Sequence, residues 1–151
     1  MEIIIKKTND LKTALKIAES SKVYFETGFN NLKKDLNLHI IFGAYVKDEM
    51  IGFIALKENN PEVVEISWMV IHPNYRSKGI GGMLVLQSLD EIGGNYKICE
   101  VKTLADTHQD PGYSKTRNFY KKLGFVPLEI IHPYPGWGED NPCQIFVKCL
   151  K

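Results

Sequence analysis

Ile71-His72-Pro73-Asn74-Tyr75-Arg76-Ser77-Lys78-Gly79-Ile80-Gly81-Gly82 is the stretch on which the fold turns. It leaves a strand-forming run, Val63 to Ile71, and leads into Val85, Leu86, Leu89 and Ile92, apolar residues at helical spacing that stop at Gly93 and Gly94. Gly79, Gly81 and Gly82 lack Cβ atoms, so a ligand can approach the backbone, and the unpaired amides of a helix start can receive phosphate oxygens. A glycine cluster also makes an ordinary structural turn, but its place between strand and helix favours an anion cradle, with a pyrophosphate as the natural occupant. Arg76 and Lys78 either add positive charge there or are simply solvated. The stretch is not a GxxxxGK[ST] phosphate loop. It also lacks the first glycine of GxGxxG, having Arg76-x-x-Gly79-x-Gly81 instead, so nucleotide hydrolysis loses its usual support.

Upstream, residues 2–7 read as a first strand, and Asn9 or Asp10 caps a helix with Leu11, Leu15 and Ala18 on one face. Residues 21–35 hold a second helix using Val23, Phe25 and Leu32, interrupted by Gly28 and Asn30-Asn31. Leu38 to Val46, the polar turn Lys47-Asp48-Glu49 and Ile51 to Leu56 make a hairpin. Asn59-Asn60-Pro61 then turns the chain into Val63 to Ile71, the third strand of an antiparallel group. Downstream, Ile98 to Leu104 is a strand, Ser114 to Leu123 a short amphipathic helix, Gly124 its left-handed cap, and Phe125 to Ile131 a strand. Residues 131–141, with Pro133, Pro135, Gly136 and Gly138, form a structured turn-rich loop before the last strand, Gln144 to Leu150. The result is an α/β half built onto a hairpin half.

At 151 residues the chain is one domain, 1–151, with no repeat, linker or low-complexity tract. Apolar residues make up 44% and charged residues 25%, the composition of a globular chain. With 19 basic and 18 acidic side chains the net charge is +1, which provides no general field for nucleic acid or an anionic membrane. Cys99, Cys143 and Cys149 form neither an even disulfide framework nor a close metal pair, and point to a reducing, cytoplasmic setting. The first ten residues carry Glu2, Lys6 and Lys7 and no secretion signal, and no run approaches the ~20 apolar residues that span a bilayer. His39, His72, His108 and His132 form no zinc spacing, so no metal is expected.

Arg76, Gly79 and Gly81 match the signature of the GNAT superfamily, the Gcn5-related N-acetyltransferases: Arg or Gln, two residues, Gly, one residue, then Gly or Ala. About forty residues on, Asn118-Phe119-Tyr120-Lys121-Lys122-Leu123-Gly124-Phe125 resembles the family's second block. The resemblance covers nearly the whole chain and is strongest over residues 65–127. It implies an α/β (α+β) fold with a central mixed, mostly antiparallel twisted sheet flanked by helices. It also implies acetyl-CoA as cosubstrate, its pyrophosphate bound by backbone amides from Ser77 through Gly82 (Ser77, Lys78, Gly79, Ile80, Gly81, Gly82) beside Arg76. Met69, Val70 and Ile71 correspond to the strand that bonds the pantetheine arm, with a Val70 or Ile71 amide at the thioester oxygen. Tyr113 stands where the family often has a cofactor-contacting asparagine, Asn118 belongs to the second block, and Thr116 holds a small-residue position. A homodimer is a further implication of the resemblance.

Amine acetylation needs a proton acceptor for the amine, stabilisation of the thioester oxygen, and a proton for the departing thiolate. Tyr120, four residues before Gly124, corresponds to the family tyrosine near the sulfur. By residue type alone, a buried tyrosine satisfied locally is an equal reading. Glu65, eleven residues before Arg76, resembles the general-base glutamate of the histone acetyltransferase branch. It either takes the amine proton, holds the acceptor cation by charge, or is a solvent-facing strand-end residue. Strict alternation places Glu65, Ser67 and Met69 on one face and Ile66, Trp68 and Val70 on the other.

Asp106, His108 and Asp110 are polar loop alternatives to Glu65, His72 a structural strand exit, and Cys99 a packed core residue. Trp68, Tyr24, Phe25, Phe29, Tyr134 and Trp137 are either core aromatics or walls of an acceptor pocket, where Glu139 or Asp140 would attract an amine. The expectation is direct acetyl transfer to a primary amine of a small molecule. The alternatives are a protein or peptide amine, an O-acetyl or longer acyl transferase, and a non-catalytic CoA-binding sensory or structural protein.

Overall fold

The computed structural model describes residues 1–21, 28–106 and 111–150. Seven strands run β1 (Ile4–Lys7), β2 (Ile40–Val46), β3 (Glu49–Asn60), β4 (Val63–Ile71), β5 (Ile98–Leu104), β6 (Val126–Ile131) and β7 (Cys143–Cys149). They are joined by helices α1 (Leu11–Glu19), α2 (Phe29–Leu36), α3 (Ile80–Ile92) and α4 (Pro111–Lys122), with a 3-10 turn at Pro73–Tyr75. The sheet order is β1-β2-β3-β4-β5-β7-β6. Among the described residues β4 with β5 is the parallel pair and every other neighbour is antiparallel. This is the mixed, mostly antiparallel α/β sheet that the sequence implies.

Local chemistry explains the element limits. Asp10 caps α1 by accepting from the Thr13 amide at 3.1 Å, and Ala14, Ile17 and Ala18 turn to the core. At the stretch 21–35, α2 runs Phe29–Leu36 with Gly28 as its cap residue, while Val23 and Phe25 lie outside the described residues. The β2–β3 hairpin turns on Lys47 and Asp48, whose φ values of 48° and 67° match the right-handed twist of the strands. β3 runs past Leu56 to Asn60, and α4 begins at Pro111, a residue suited to the first turn of a helix. Gly124 has the expected left-handed conformation, φ 94°.

Two clusters fill the two faces of the sheet. On one, Ile80, Leu84, Val85, Leu89 and Ile92 of α3 and Tyr120 of α4 pack against Phe42, Ile54, Leu56, Val64 and Ile66. On the other, Ala14, Ile17 and Ala18 of α1 and Leu32 and Leu36 of α2 cover Ile41, Phe53, Ala55 and Val70.

β4 departs from the strict alternation expected of it. Leu56 of β3 pairs with Ile66 and Ala55 with Trp68, so Ser67 is an extra residue, a bulge. The bulge resets the phase of the strand: Val64 and Ile66 lie in the α3 cluster, Trp68 and Val70 in the α1–α2 cluster, and Met69 and Ile71 return to the α3 side. Met69 therefore shares a face with Ile66, contrary to the alternating pattern.

Candidate active site

The parallel pairing of β4 with β5 lasts for three residue pairs, Val63 to Glu65 with Ile98 to Glu100, and stops there. Beyond Glu65 the strands splay, β5 continuing against β7 and β4 against β3. The splay opens a groove of about 540 Å³ lined by Ile66, Ser67, Trp68, Met69 and Ile71 of β4, Gly81 of α3, Val101 and Lys102 of β5, and Lys115, Thr116, Phe119 and Tyr120 of α4. Met69, Ile71, Gly81 and Tyr120 are thus brought together as the sequence implies.

The β4 edge of the groove is open backbone. The His72 amide bonds to Ile51 O across β3 at 2.9 Å, so by strand alternation the amides of Met69 and Ile71 point the opposite way, into the splay. Val70 pairs with Phe53 and its buried side chain belongs to the α1–α2 cluster.

At the floor, the turn is wound by two left-handed residues, Ser77 (φ 62°) and Gly79 (φ 80°). No side chain caps α3. The Met83 amide bonds to Gly79 O at 3.2 Å, which leaves the amides of Ile80, Gly81 and Gly82 as the unpaired first turn. A Cβ on Gly81 would stand 3.3 Å from Phe119 Cζ and 3.6 Å from Met69 Cε, so glycine keeps this corner open. Ser77, Lys78 and Gly79 are exposed, whereas the Ile80 side chain is buried. Arg76 donates from Nε to Ile71 O at 3.1 Å and from Nη2 to Ser21 Oγ, and so ties the turn to the strand end and to the end of α1.

Tyr120 is buried, edge-on to Phe119 and Phe125 at ring distances of 5.0 and 5.4 Å. Burial, with Cys99 adding to it, raises its phenol well above 10, so it is a proton donor throughout the neutral range. Among the described residues its hydroxyl has no hydrogen-bond partner, and no buried side-chain oxygen or nitrogen is unsatisfied, which places that hydroxyl at the groove surface. Tyr113 and Asn118 are exposed on α4 and do not line the groove. Arg117 between them donates to Leu104 O (2.9 Å) and Ala105 O (3.2 Å), fixing α4 to the end of β5.

Glu65 sits behind the groove wall. It accepts from Asn59 Nδ2 at 3.0 Å and pairs with Lys102 at 3.3 Å; Lys102 also pairs with Glu100, the residue opposite Glu65, at 3.5 Å. Burial would lower the Lys102 ammonium, but nearby Tyr134 and the two carboxylates outweigh it and hold the proton more tightly than usual. Lys102 therefore stands between Glu65 and the groove, and its Nζ lies 5.5 Å from the Tyr134 ring centroid. Lys102, Lys115 and Phe119 were not singled out from the sequence as groove residues. The local signal is spacing on α4, where Phe119 follows Lys115 and Tyr120 follows Thr116 by four residues; Lys102, on β5, has none.

Among the other candidates, Trp68 lines the groove and donates from Nε1 to Asp35 at 2.9 Å. Trp137 packs on Tyr134 at 5.2 Å outside the lining, and Asp106, Glu139 and Asp140 are exposed. Tyr24, Phe25, His108 and Asp110, and the Phe29 side chain, lie outside the described residues. The His72 side chain accepts from the Asn74 amide at 3.1 Å, a capping role, and burial pushes the Cys99 thiol up to about 12. Among the described residues no three His, Cys, Asp or Glu side chains converge as a metal site, and no helix is long and apolar enough to cross a membrane.

Residues 37–127 match a sequence family described as the acetyltransferase (GNAT) domain. No curated protein sequence matches the chain. Among solved structures, the ribosomal-protein-S18-alanine N-acetyltransferase of Escherichia coli is similar in fold, with a TM-score of 0.77 at 14% identity over 99% of this chain and 95% of that one. A GNAT family acetyltransferase from Elizabethkingia anophelis, solved with acetyl-CoA bound, gives 0.71 at 19% identity, covering 98% of each chain. The aminoglycoside 6'-N-acetyltransferase of Enterococcus faecium gives 0.73 at 19% identity over 99% of this chain and 97% of its own.

Proposed function

Since the chain belongs to the acetyltransferase (GNAT) domain family and is an acyltransferase by that membership, we propose that it moves an acetyl group from acetyl-CoA directly to the primary amine of a small molecule. One observation carries this reading. The β4–β5 splay brings an outward-facing strand amide, an uncapped helix start and the Tyr120 hydroxyl to a single groove.

In this reading the amides of Ile80, Gly81 and Gly82, with the turn residues Ser77, Lys78 and Gly79, receive the pyrophosphate, and Arg76 holds the turn in shape. Met69 and Ile71 offer strand backbone to the pantetheine arm, Val70 between them ties the strand to β3, and the Ile71 amide stabilises charge on the thioester oxygen. The amine nitrogen attacks the carbonyl carbon, the carbon–sulfur bond breaks, and Tyr120 gives its proton to the sulfur. Glu65, behind the groove wall and shared by Lys102 and Asn59, acts through Lys102, which it holds in place at the groove. Tyr113 and Asn118, exposed on α4, would meet the outer part of the cofactor. The three cysteines, all free, suit a cytoplasmic setting. For a small acceptor, Trp68 and Lys102 are the side chains of the groove lining that it would meet. The E. coli neighbour acts on a protein alanine, and that reading is the alternative.

The test is calorimetric titration with acetyl-CoA and CoA, followed by thiol release across ethylamine, an aminoglycoside and a peptide with N-terminal alanine. Binding with release in one of them is expected, and Tyr120→Phe lowers kcat about 10²- to 10³-fold while leaving binding and thermal stability near wild type. Binding without release would favour a CoA-binding sensory protein. Failure of the folded chain to bind either compound would return the glycine turn to a structural role.

A further inference from the structure

We propose that the acceptor ammonium loses its proton through Ser67 to His39: Ser67 Oγ takes the proton from the amine as its own hydroxyl hydrogen passes to Nδ1 of His39. The proposal rests on the acyl-transfer reading above and adds the proton path which that reading leaves open.

Ser67 is the bulge residue of β4 and lines the groove between Ile66 and Trp68. Bulges re-aim side chains, and here Ser67 Oγ stands 2.8 Å from His39 Nδ1 and 3.0 Å from Ala55 O. Ser67 Oγ donates to Ala55 O, while the direction of its contact with Nδ1 is set by the imidazole tautomer; the path requires a ring protonated at Nε2, to whose free Nδ1 the Ser67 hydroxyl turns. The oxygen keeps a lone pair for the groove. Asp35, on α2, receives the Trp68 indole N–H and so fixes the residue next to Ser67.

The charged groups facing His39 are Asp35 from α2, Lys57 from β3 and Glu65 from β4. Partial burial is the largest influence and lowers the imidazole below 6.5 despite the two carboxylates, so it is neutral and able to accept at neutral pH. Glu65 is occupied by Lys102 and does not line the groove.

The protons balance. An amine N–H bond breaks as an O–H bond forms on Ser67, and the old Ser67 O–H bond breaks as an N–H bond forms on His39. The resulting imidazolium returns its proton to solvent, and the reset path takes the second N–H proton from the adduct nitrogen after attack. Tyr120 protonates the CoA sulfur and is itself refilled from solvent. Two protons leave through the path and one returns from solvent by way of Tyr120, so the net reaction is ammonium plus acetyl-CoA to amide, CoA and one proton. Ser67 touches the amine, and His39 acts through it.

The experiment is the pH dependence of kcat/KM with acetyl-CoA and whichever of ethylamine, an aminoglycoside or an alanine-terminated peptide releases most CoA. Wild type is expected to lose activity as pH falls through an apparent pKa below 6.5. His39→Gln is expected to lose that limb and about 10²-fold in kcat with acetyl-CoA affinity unchanged. Ser67→Ala shows the same loss and Ser67→Thr, which keeps the hydroxyl, recovers most of it. Should His39→Gln fail to fold, the two Ser67 variants decide. Full kcat and an unchanged acid limb in Ser67→Ala overturn the proposal while leaving acyl transfer intact. Nitrogen NMR of labelled histidine gives a reading independent of any acceptor. A neutral ring protonated at Nε2, with Nδ1 accepting from Ser67, supports the path, and a ring protonated at Nδ1 overturns it. A protein that binds acetyl-CoA but releases no CoA sinks the transfer reading itself, and the proton path with it.

Discussion

The floor of the groove is made of backbone, its mouth of side chains. At the floor, the amides of Met69 and Ile71 and the uncapped first turn of α3 present donors that no side chain supplies, and the residues there are chosen mainly for what they lack. At the mouth, Lys102, Glu65, Glu100 and Tyr134 come from β4, β5 and the loop before β7, while His39, Ser67, Trp68 and Asp35 come from α2, β4 and the stretch before β2. A backbone site fixes one constant ligand and is damaged by adding atoms. A side-chain site can be altered one residue at a time, and is damaged by removing charges.

Adding atoms at the floor should have the largest effect. Gly81→Val places a Cβ 3.3 Å from Phe119 Cζ and adds two methyls beyond it, so Phe119 must move into the groove. Acetyl-CoA affinity is expected to fall about 10²-fold, roughly 2.7 kcal/mol, with Gly81→Ala intermediate. Replacing a helical glycine otherwise favours the helix by up to about 1 kcal/mol, so calorimetry should show lost binding without a matching loss of Tm. Equal loss of both would mean that Gly81 serves packing alone.

Removing charges at the mouth should cost less, and unequally. Lys102→Met leaves Glu65 and Glu100 facing each other in register, two part-buried carboxylates with no cation between them. Glu65→Gln leaves Lys102 still paired with Glu100. The first is expected to destabilise by about 2 kcal/mol and the second by about 1, discounted from fully buried pairs because the side chains keep some exposure. Urea unfolding checks the order, and a reversed order would mean that Lys102 is not the hub of the cluster.

The same contrast explains what the sequence makes legible. Backbone sites need local residue types, so Gly79, Gly81 and Gly124 could be read from their places between elements, as could most strands and α3, whereas Tyr120 is reached through the family resemblance. The mouth could not, because His39 and Ser67 are 28 residues apart and Glu65 and Lys102 are 37 apart, and no local pattern links them. The phase of β4 also escaped, since a bulge leaves no mark in an apolar run.

Arg76 is where the two modes of construction meet, and it offers the finest test. Its guanidinium is the charged member of the signature, yet its Nε bonds Ile71 O and its Nη2 bonds Ser21, so it closes the turn between β4 and α3. If its contribution is shape, Arg76→Gln loosens the placement of Ser77 and Lys78 and weakens acetyl-CoA about 3- to 5-fold, near 1 kcal/mol. Because exposed charge is screened by salt, a direct ion pair with the pyrophosphate would also make the affinity fall more steeply with salt in wild type than in the variant. Titrations at low and high salt are expected to give parallel dependences for the two proteins. A flatter line for Arg76→Gln would move Arg76 from the group that shapes the backbone to the group that binds by charge, and the floor would no longer be a purely backbone site.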